Sequence, residues 1–367
     1  MNRARPENIR QFWQARSASA RQRATNLSLL GECLAVGDTY APDLPARLAS
    51  PTIDWRGLTW LAGGGLVTPA LAGALQRKGL FERLPEAVQD YLQTLQSLNL
   101  ARNQTLREQL LIVTEALNRI GIQPVLLKGA IALATGHYPG AEDRVIGDLD
   151  LLVPDSLMED ATAALIQVGY VLDDKGKQWI LPSHLKQHHH GFPLVHPDCF
   201  VKVELHRRIQ NHVGDDALLR QKMSTVPFSF NTGATVLIPD VATQLLHNML
   251  HSQISDRQRL KKVINLRHLL EFAALAQHPA ILLDTHTLLN RLRPQRHAVL
   301  ADYWAQAAQW LTTPYPATLP RSPQQALQLW LLQWVATQTG WHLRYPRKIP
   351  IKNNVLLDKN TIKFVLA

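Results

Sequence analysis

Apolar residues recur along this chain with two different periods, and the change from one to the other divides it. From Trp55 to Leu75 the spacing is helical, through Leu58, Leu61, Leu66, Leu71 and Leu75, and Gly63, Gly64 and Gly65 predict a break into two short helices. Residues Pro85 to Ile120 read as two long helices, the second carrying Leu106, Leu110, Val113 and Leu117 on one face. The first 50 residues look irregular to weakly helical, and Pro42, Pro45 and Pro51 punctuate their end.

At Gly121 the apolar runs shorten. Val125-Leu126-Leu127, with Pro124 before it, predicts a buried strand, and Gly129 to Ala134 a helix start. Ile146 to Val153 reads as a second strand closed by Pro154. Ser156 is the expected cap of a helix running to about Val168 and ended by Gly169. Further strands are expected at roughly 177–181, 187–195 and 199–206, with a pair near 225–229 and 234–238. From Asp240, a second expected cap, the chain turns helical again. It carries Leu245, Leu246, Met249 and Leu250, then a helix over 257–275, then helices over 280–340 with Trp304, Trp310, Trp330 and Trp334. The predicted class is α+β. The expected divisions are a basic, weakly ordered segment 1–50, helices 51–120, an α/β core 121–240, helices 241–343 and a basic tail 344–367.

Composition narrows the chemistry. A chain of 367 residues that is 46% hydrophobic has ample apolar surface for a packed core and is not a disordered composition. The net charge of +10 favours anionic partners: nucleotides, nucleic acid, phosphorylated substrates or anionic membranes. Much of it is terminal. The first 23 residues hold six arginines against Glu7, and the stretch from Arg344 holds six basic residues against Asp358. These ends read either as solvated tails or as contacts for nucleic acid or a membrane; on the second reading the chain can also be a catalytically inactive nucleic-acid- or nucleotide-binding protein. Cys33 and Cys199 are too few for a disulfide framework or a thiolate zinc site, and a reducing cytoplasm fits them. No apolar run of transmembrane or signal-peptide length is expected to interrupt the chain.

The segment Gly147-Asp148-Leu149-Asp150-Leu151-Leu152-Val153 is the most informative. Strand side chains alternate, so Asp148 and Asp150 share a face about 7 Å apart while Leu149, Leu151 and Val153 face the core. A buried carboxylate pair repels itself and loses hydration unless a cation neutralises it. Hard oxygen ligands at this spacing suit Mg²⁺. The same pattern also describes solvated acids on an edge strand.

Two neighbours bear on that choice. In Leu126-Leu127-Lys128-Gly129-Ala130 a strand ends at a cation and a glycine where a helix begins, a place for an anion. In Phe200-Val201-Lys202-Val203-Glu204-Leu205-His206 the valines and Leu205 face the core, and Lys202, Glu204 and His206 share the other face. If this strand lies beside the aspartate strand, Glu204 becomes a third carboxylate at one site, enough to bridge two metal ions. Otherwise Lys202 and Glu204 form a surface ion pair. His206 reads as a base, a nucleotide contact or a packed strand histidine.

These residues resemble a known family. Lys128-Gly129, Tyr138, Arg144, the stretch Gly147 to Val153 and Glu204-Leu205-His206 resemble the uncharacterised nucleotidyltransferases of the polymerase-β superfamily. Asp54-Trp55, Leu61-Ala62 and Val67-Thr68-Pro69 are similar to that family's N-terminal helices, and Leu246-His247 to Glu271 to its C-terminal helices. The resemblance spans roughly residues 50–275. It implies a small mixed-sheet nucleotidyltransferase core and transfer of a nucleoside monophosphate from an NTP, ATP foremost, to a hydroxyl of a small molecule, peptide or protein. It implies Mg²⁺ or Mn²⁺ on Asp148, Asp150 and Glu204, which are then the catalytic residues. Lys128, Gly129, Arg144 and His206 are the expected nucleotide-binding residues. Lys128-Gly129 departs from the superfamily's usual Gly-Ser or Gly-Gly, which points either to an ammonium on phosphate or to altered donor chemistry such as phosphoryl transfer. Arg144 is expected either on phosphate or paired with Asp143 or Asp148.

Other chemistry finds less support. The His188-His189-His190 triplet, with His184 and His196 near it, reads as a transition-metal site, as the lining of the substrate side of the sheet or as a partly exposed group. His247 and His251 have the zinc-protease spacing, but Asn248 stands where that helix needs glutamate. No phosphate-binding P-loop and no Gly-x-Ser-x-Gly elbow occurs.

Overall fold

The computed structural model describes residues 6–136, 140–173, 189–199, 201–321 and 323–339. The expected strand at 177–181, the tail from 344, and Tyr138, His184 and His188 lie outside the described residues. The chain is mixed helix and sheet, of the α+β class, with a mixed sheet of seven strands among the described residues.

The strands are β1 (Val125–Leu127), β2 (Asp148–Leu152), β3 (Val171–Leu172), β4 (Leu194–Val195), β5 (Lys202–His206), β6 (Thr225–Ser229) and β7 (Thr235–Pro239), in the spatial order β3-β4-β5-β2-β1-β7-β6. β2 lies between β1, antiparallel to it, and β5, parallel to it. Leu126, Leu149, Leu151, Val203 and Leu205 bury one sheet face together with Leu106, Leu110, Val113 and Leu117. Those four come from α5 (Glu86–Arg119), one unbroken helix where two were expected. On the other face β2 runs from Asp148 and Asp150 to Leu152, which packs into a separate, helical core. The acids therefore sit where a strand face passes from open site to apolar packing.

That helical core joins the two flanks of the chain. The expected weakly ordered start is instead α1 (Pro6–Leu34), and Leu27, Leu30, Cys33 and Leu34 are buried in it. They pack with α3 (Trp55–Gly64), α4 (Thr68–Arg77), α14 (Pro294–Leu311) and α15 (Pro323–Thr339). The reason is local as well as tertiary. Lys78, buried just past α4, donates to the Cys33 and Ala35 carbonyls at 3.2 and 2.6 Å, neutralising the last turn of α1. Asn26 donates to Asp54 at 2.9 Å, and Asp54 itself caps α3.

Elsewhere the helices follow their caps. Asp240 caps α9 (Val241–Leu250), accepting from Thr243 N at 3.0 Å. Ser156 is not a cap: a short 3-10 turn over Asp155–Leu157 leads into α7 (Met158–Gln167). The helix expected over 257–275 is broken, with α10 at Gln258–Lys261 and α11 at Leu266–Ala276, because Lys262 turns left-handed. α6 (Gly129–Thr135) follows the Lys128 turn; α2 (Leu44–Leu48), α8 (Val213–Lys222), α12 (Pro279–Leu283) and α13 (His286–Asn290) add Leu44, Leu48, Leu219, Ile281 and Leu288 to the helical core, and α8 had no sequence signal.

Candidate functional site

Register settles the question posed by the strand faces. In the parallel β2–β5 pair Asp150 stands opposite Glu204, Asp148 opposite Lys202 and Leu152 opposite His206. Glu204 is therefore on the aspartate face. Asp150 is fully buried, and its Oδ1 receives the Lys128 ammonium at 2.8 Å and His206 Nε2 at 2.7 Å. His206 Nε2 and His190 Nε2 each lie 3.8 Å from Glu204 Oε2. Asp150, Glu204 and His206 offer ligand atoms all within 4.8 Å of one another, a group that can hold a metal ion. Asp148 lies outside that tight group although it shares the face. Lys202 does not pair with Glu204 but with Asp173.

The electrostatics are those of a site short of positive charge. Burial alone would raise the Asp150 carboxyl, but Lys128 and the His206 hydrogen bond hold it well below the usual carboxylate range. The Asp150 charge, and then burial, push Asp148 up. Burial, followed by Asp150 and Asp148, pushes Glu204 up to about 8. Burial works against the Lys128 ammonium, yet Asp150 and Asp148 outweigh it and raise Lys128 to about 12. Asp150 Oδ2 is buried with no hydrogen-bond partner among the described residues. An orphaned carboxylate oxygen between two further acids fits a hard divalent cation, and the Lys128 ammonium covers only the other oxygen.

Lys128 reaches Asp150 from an unusual backbone. It precedes α6 with φ 49° and ψ −123°, a conformation that glycine adopts freely and a side chain resists. The turn has a glycine-like shape although a lysine stands in it. At Gly129 the requirement is steric, since a methyl group would overlap Arg144 Nη1 and press on Ile146.

Arg144 does not pair with Asp143 or Asp148. Its Nη2 binds Glu271 Oε2 on α11 at 2.8 Å, while Asp143 pairs with Arg77 at 2.8 Å. The Arg144 carbonyl accepts from Asn99 and Asn103 of α5 at 3.0 and 2.9 Å, and these amides also take the Glu142 and Ala141 carbonyls. Arg267 of α11 donates to the Val145 carbonyl at 3.1 Å. The loop that delivers Asp148 is thus fastened to helices from both flanks of the chain. Asn99, Asn103 and Arg267 had no motif to announce them. A polar series at helical spacing (Gln96, Asn99, Asn103) is the trace they leave in sequence, and it reads as a solvated face until the loop is seen against it.

The histidines divide. His189 and His190 pack edge-on and tilted around His206, with ring centroids 5.1 and 5.4 Å away, so the described part of the triplet lies beside the acidic group. His247, buried and held neutral down to about 3 by burial and the Lys128 charge, lines a cavity of about 30 Å³ with Lys128, His268 and Glu271. Beyond it lies a larger cleft of about 410 Å³ reached by Lys128, between α6, α9, α11, α4 and the end of α1. Its wall is mostly small and apolar, including Ala70, Ala74, Ala132 and Ala274, and its Arg77 and Lys78 are already engaged within the protein. Among the described residues no single helix is long and apolar enough to cross a membrane.

A family model described as uncharacterised nucleotidyltransferase matches residues 51–313. No curated protein matches the chain. The matched span takes in the sheet, α3, α4 and the helices behind Arg144, though not the end of α1, and the chain belongs to that family.

Proposed function

From that membership we propose that the chain transfers a nucleoside monophosphate from an NTP to a hydroxyl group, releasing pyrophosphate, with Asp148, Asp150 and Glu204 as the catalytic carboxylates. The observation that carries this reading is the β2–β5 register, which sets Glu204 opposite Asp150 beside the Lys128-Gly129 turn. On this reading the sheet is a polymerase-β type core. Residues 121–240 are its catalytic unit, and the described helices of 51–120 and 241–339 form its walls.

The three carboxylates would hold Mg²⁺ or Mn²⁺, with His206 orienting Asp150 through its 2.7 Å contact. When bound, the cation supplies charge for the triphosphate and acidity for the attacking hydroxyl. Lys128 releases Asp150 and takes a phosphate oxygen, for which its compact ammonium is suited. The glycine-like turn brings backbone close to that phosphate, and Gly129 allows it. ATP is the proposed donor, and the acceptor enters over α9 and α11 through the cleft beyond Lys128.

Titration of MgATP or MgGTP into wild-type protein and an Asp148→Ala/Asp150→Ala variant tests the site. Binding by the wild type alone is expected, and equal binding by both would overturn the assignment. Product analysis then separates the chemistry. Pyrophosphate is expected; a nucleoside diphosphate would mark the protein as a phosphotransferase on the same scaffold.

A further inference from the structure

Two spaces meet at Lys128, the cavity of about 30 Å³ behind it and the cleft of about 410 Å³ beyond it. Lys128, Ile131, Gln244, Glu271 and Leu275 line both, so the two adjoin along one wall. The small cavity is polar and carries two unmade hydrogen bonds. His247 is buried, and its Nε2 has no partner among the described residues. Asn248 donates its amide nitrogen to Glu271 Oε2 at 3.1 Å, and its buried Oδ1 likewise has no partner among them. Both residues line this cavity, which has room for a water molecule or a hydroxyl group. A hydroxyl can serve either atom, because it is at once a donor and an acceptor.

The cleft has the opposite character. At about 410 Å³ it falls within the roughly 300–1,000 Å³ of small-molecule sites, and Val36, Ile131, Leu270 and Leu275 join the alanines in its wall. Its cations are engaged: Arg77 with Asp143, Lys78 with the Cys33 and Ala35 carbonyls, Lys128 with Asp150. Its Glu271 pairs with Arg144, and Asp38, Gln244 and His278 are the remaining polar groups. Such a wall favours an uncharged apolar body over an anionic one.

We propose that the acceptor is a compact, uncharged alcohol, whose apolar body fills the cleft and whose hydroxyl enters the polar cavity to meet His247 and Asn248 beside Lys128. That the alcohol is an acceptor rests on the proposed function; that the site takes an alcohol rests on the two cavities. The 2.8 Å contact of Lys128 with Asp150 puts the hydroxyl one side chain away from the carboxylates. His247 and Asn248 then distinguish the alcohol from a hydrocarbon of the same shape, because without a hydroxyl their buried atoms stay unpaired. The apolar wall selects against sugars and phosphorylated compounds.

Benzyl alcohol and toluene are the probes, titrated into the full chain with Mg²⁺ present and followed by ligand-observed NMR. Wild type is expected to bind benzyl alcohol up to about tenfold more tightly than toluene, the range of one hydrogen bond, and not to bind ribose. His247→Leu should erase that preference and leave toluene binding in place. Ala274→Trp, which fills the cleft, should abolish binding of both probes while Mg²⁺ still binds. Photolabelling of wild type by a diazirine-bearing benzyl alcohol needs no variant, and its label is expected on the cleft wall, in α4 or α11. No benzyl alcohol binding, an unaltered preference in folded His247→Leu, or label confined to other elements would overturn the site. The two readings fail separately. Nucleotidyl transfer to peptide or RNA hydroxyls that Ala274→Trp leaves intact defeats the alcohol site and keeps the function. His247-dependent alcohol binding without any transfer keeps the site and defeats the function.

Discussion

Lys128 holds two opposed energies in one residue. Its positive-φ backbone costs roughly 1–3 kcal/mol, and its ammonium compensates a fully buried carboxylate whose loss of partner costs roughly 3–5 kcal/mol. The second is larger, so Lys128→Gly should destabilise the metal-free protein by about 1–3 kcal/mol even though glycine suits the turn. Mg²⁺ should then raise the melting temperature of the variant more than that of wild type. A variant that melts like wild type without metal would show that the ammonium does not compensate Asp150. Glu204 adds a pH term. Its carboxyl is raised to about 8 in the folded protein against 4.5 ordinarily, so the folded state binds the extra proton between those values. Metal-free stability should fall as pH rises from 4.5 through about 8, and Mg²⁺ affinity should rise over the upper part of that window with release of a proton. Glu204→Gln should flatten both trends, as urea melts and calorimetry in buffers of different ionisation enthalpy can measure. At this scale the acids were legible because a strand has period two: Asp148 with Asp150, and Glu204 with His206, share faces by parity alone. Asn99, Asn103 and Arg267 were not, because only tertiary packing carries them to the loop.

The elements show where periodicity succeeds and where it misleads. β1, β2 and β5 were readable as short apolar runs with polar punctuation, and the hairpin of β6 and β7 likewise. α5 was not readable as one helix, because Gln96, Asn99 and Asn103 interrupt its apolar face. They are buried all the same, and the loop carbonyls of Ala141, Glu142 and Arg144 accept from the two asparagine amide nitrogens. Asn103→Leu would remove the donor from two of those carbonyls and place an apolar group against them. A cost of about 1–3 kcal/mol in denaturant unfolding is expected. Looser Mg²⁺ binding should accompany it, because the same loop delivers Asp148. Loss of stability with metal affinity untouched would mean that the brace serves α5 and not the site. Gly129→Ala acts on the same loop from the other side. Its methyl group displaces the Arg144 guanidinium and should break the Arg144–Glu271 pair.

Across the whole molecule the least legible feature is the beginning of the chain. Six arginines in 23 residues read as a solvated tail, and that charge masks the apolar residues that follow, Leu27, Leu30, Cys33 and Leu34. These residues complete a core shared with Trp304, Trp310 and Leu332 from the far end of the sequence. The end of α1 also supplies one wall of the cleft beyond Lys128, through Leu34 to Asp38. Closure of the fold and shape of the site are therefore coupled. The closest approach is at Gly31, where any side chain would overlap the Trp310 carbonyl oxygen. Because the obstacle is backbone of α14, the helices must separate to admit a side chain. Overpacking of this kind costs roughly 1–3 kcal/mol. Gly31→Val should therefore lower the melting temperature and widen the cleft without altering any charged group near Asp150. Mg²⁺ binding should stay near wild type while occupancy of the cleft by an acceptor weakens. A Gly31→Val protein with wild-type melting would show that α1 and α14 part without cost and that the start of the chain is peripheral to the core. A protein that loses Mg²⁺ binding in step with stability would show instead that the acidic site depends on the helical flank as a whole.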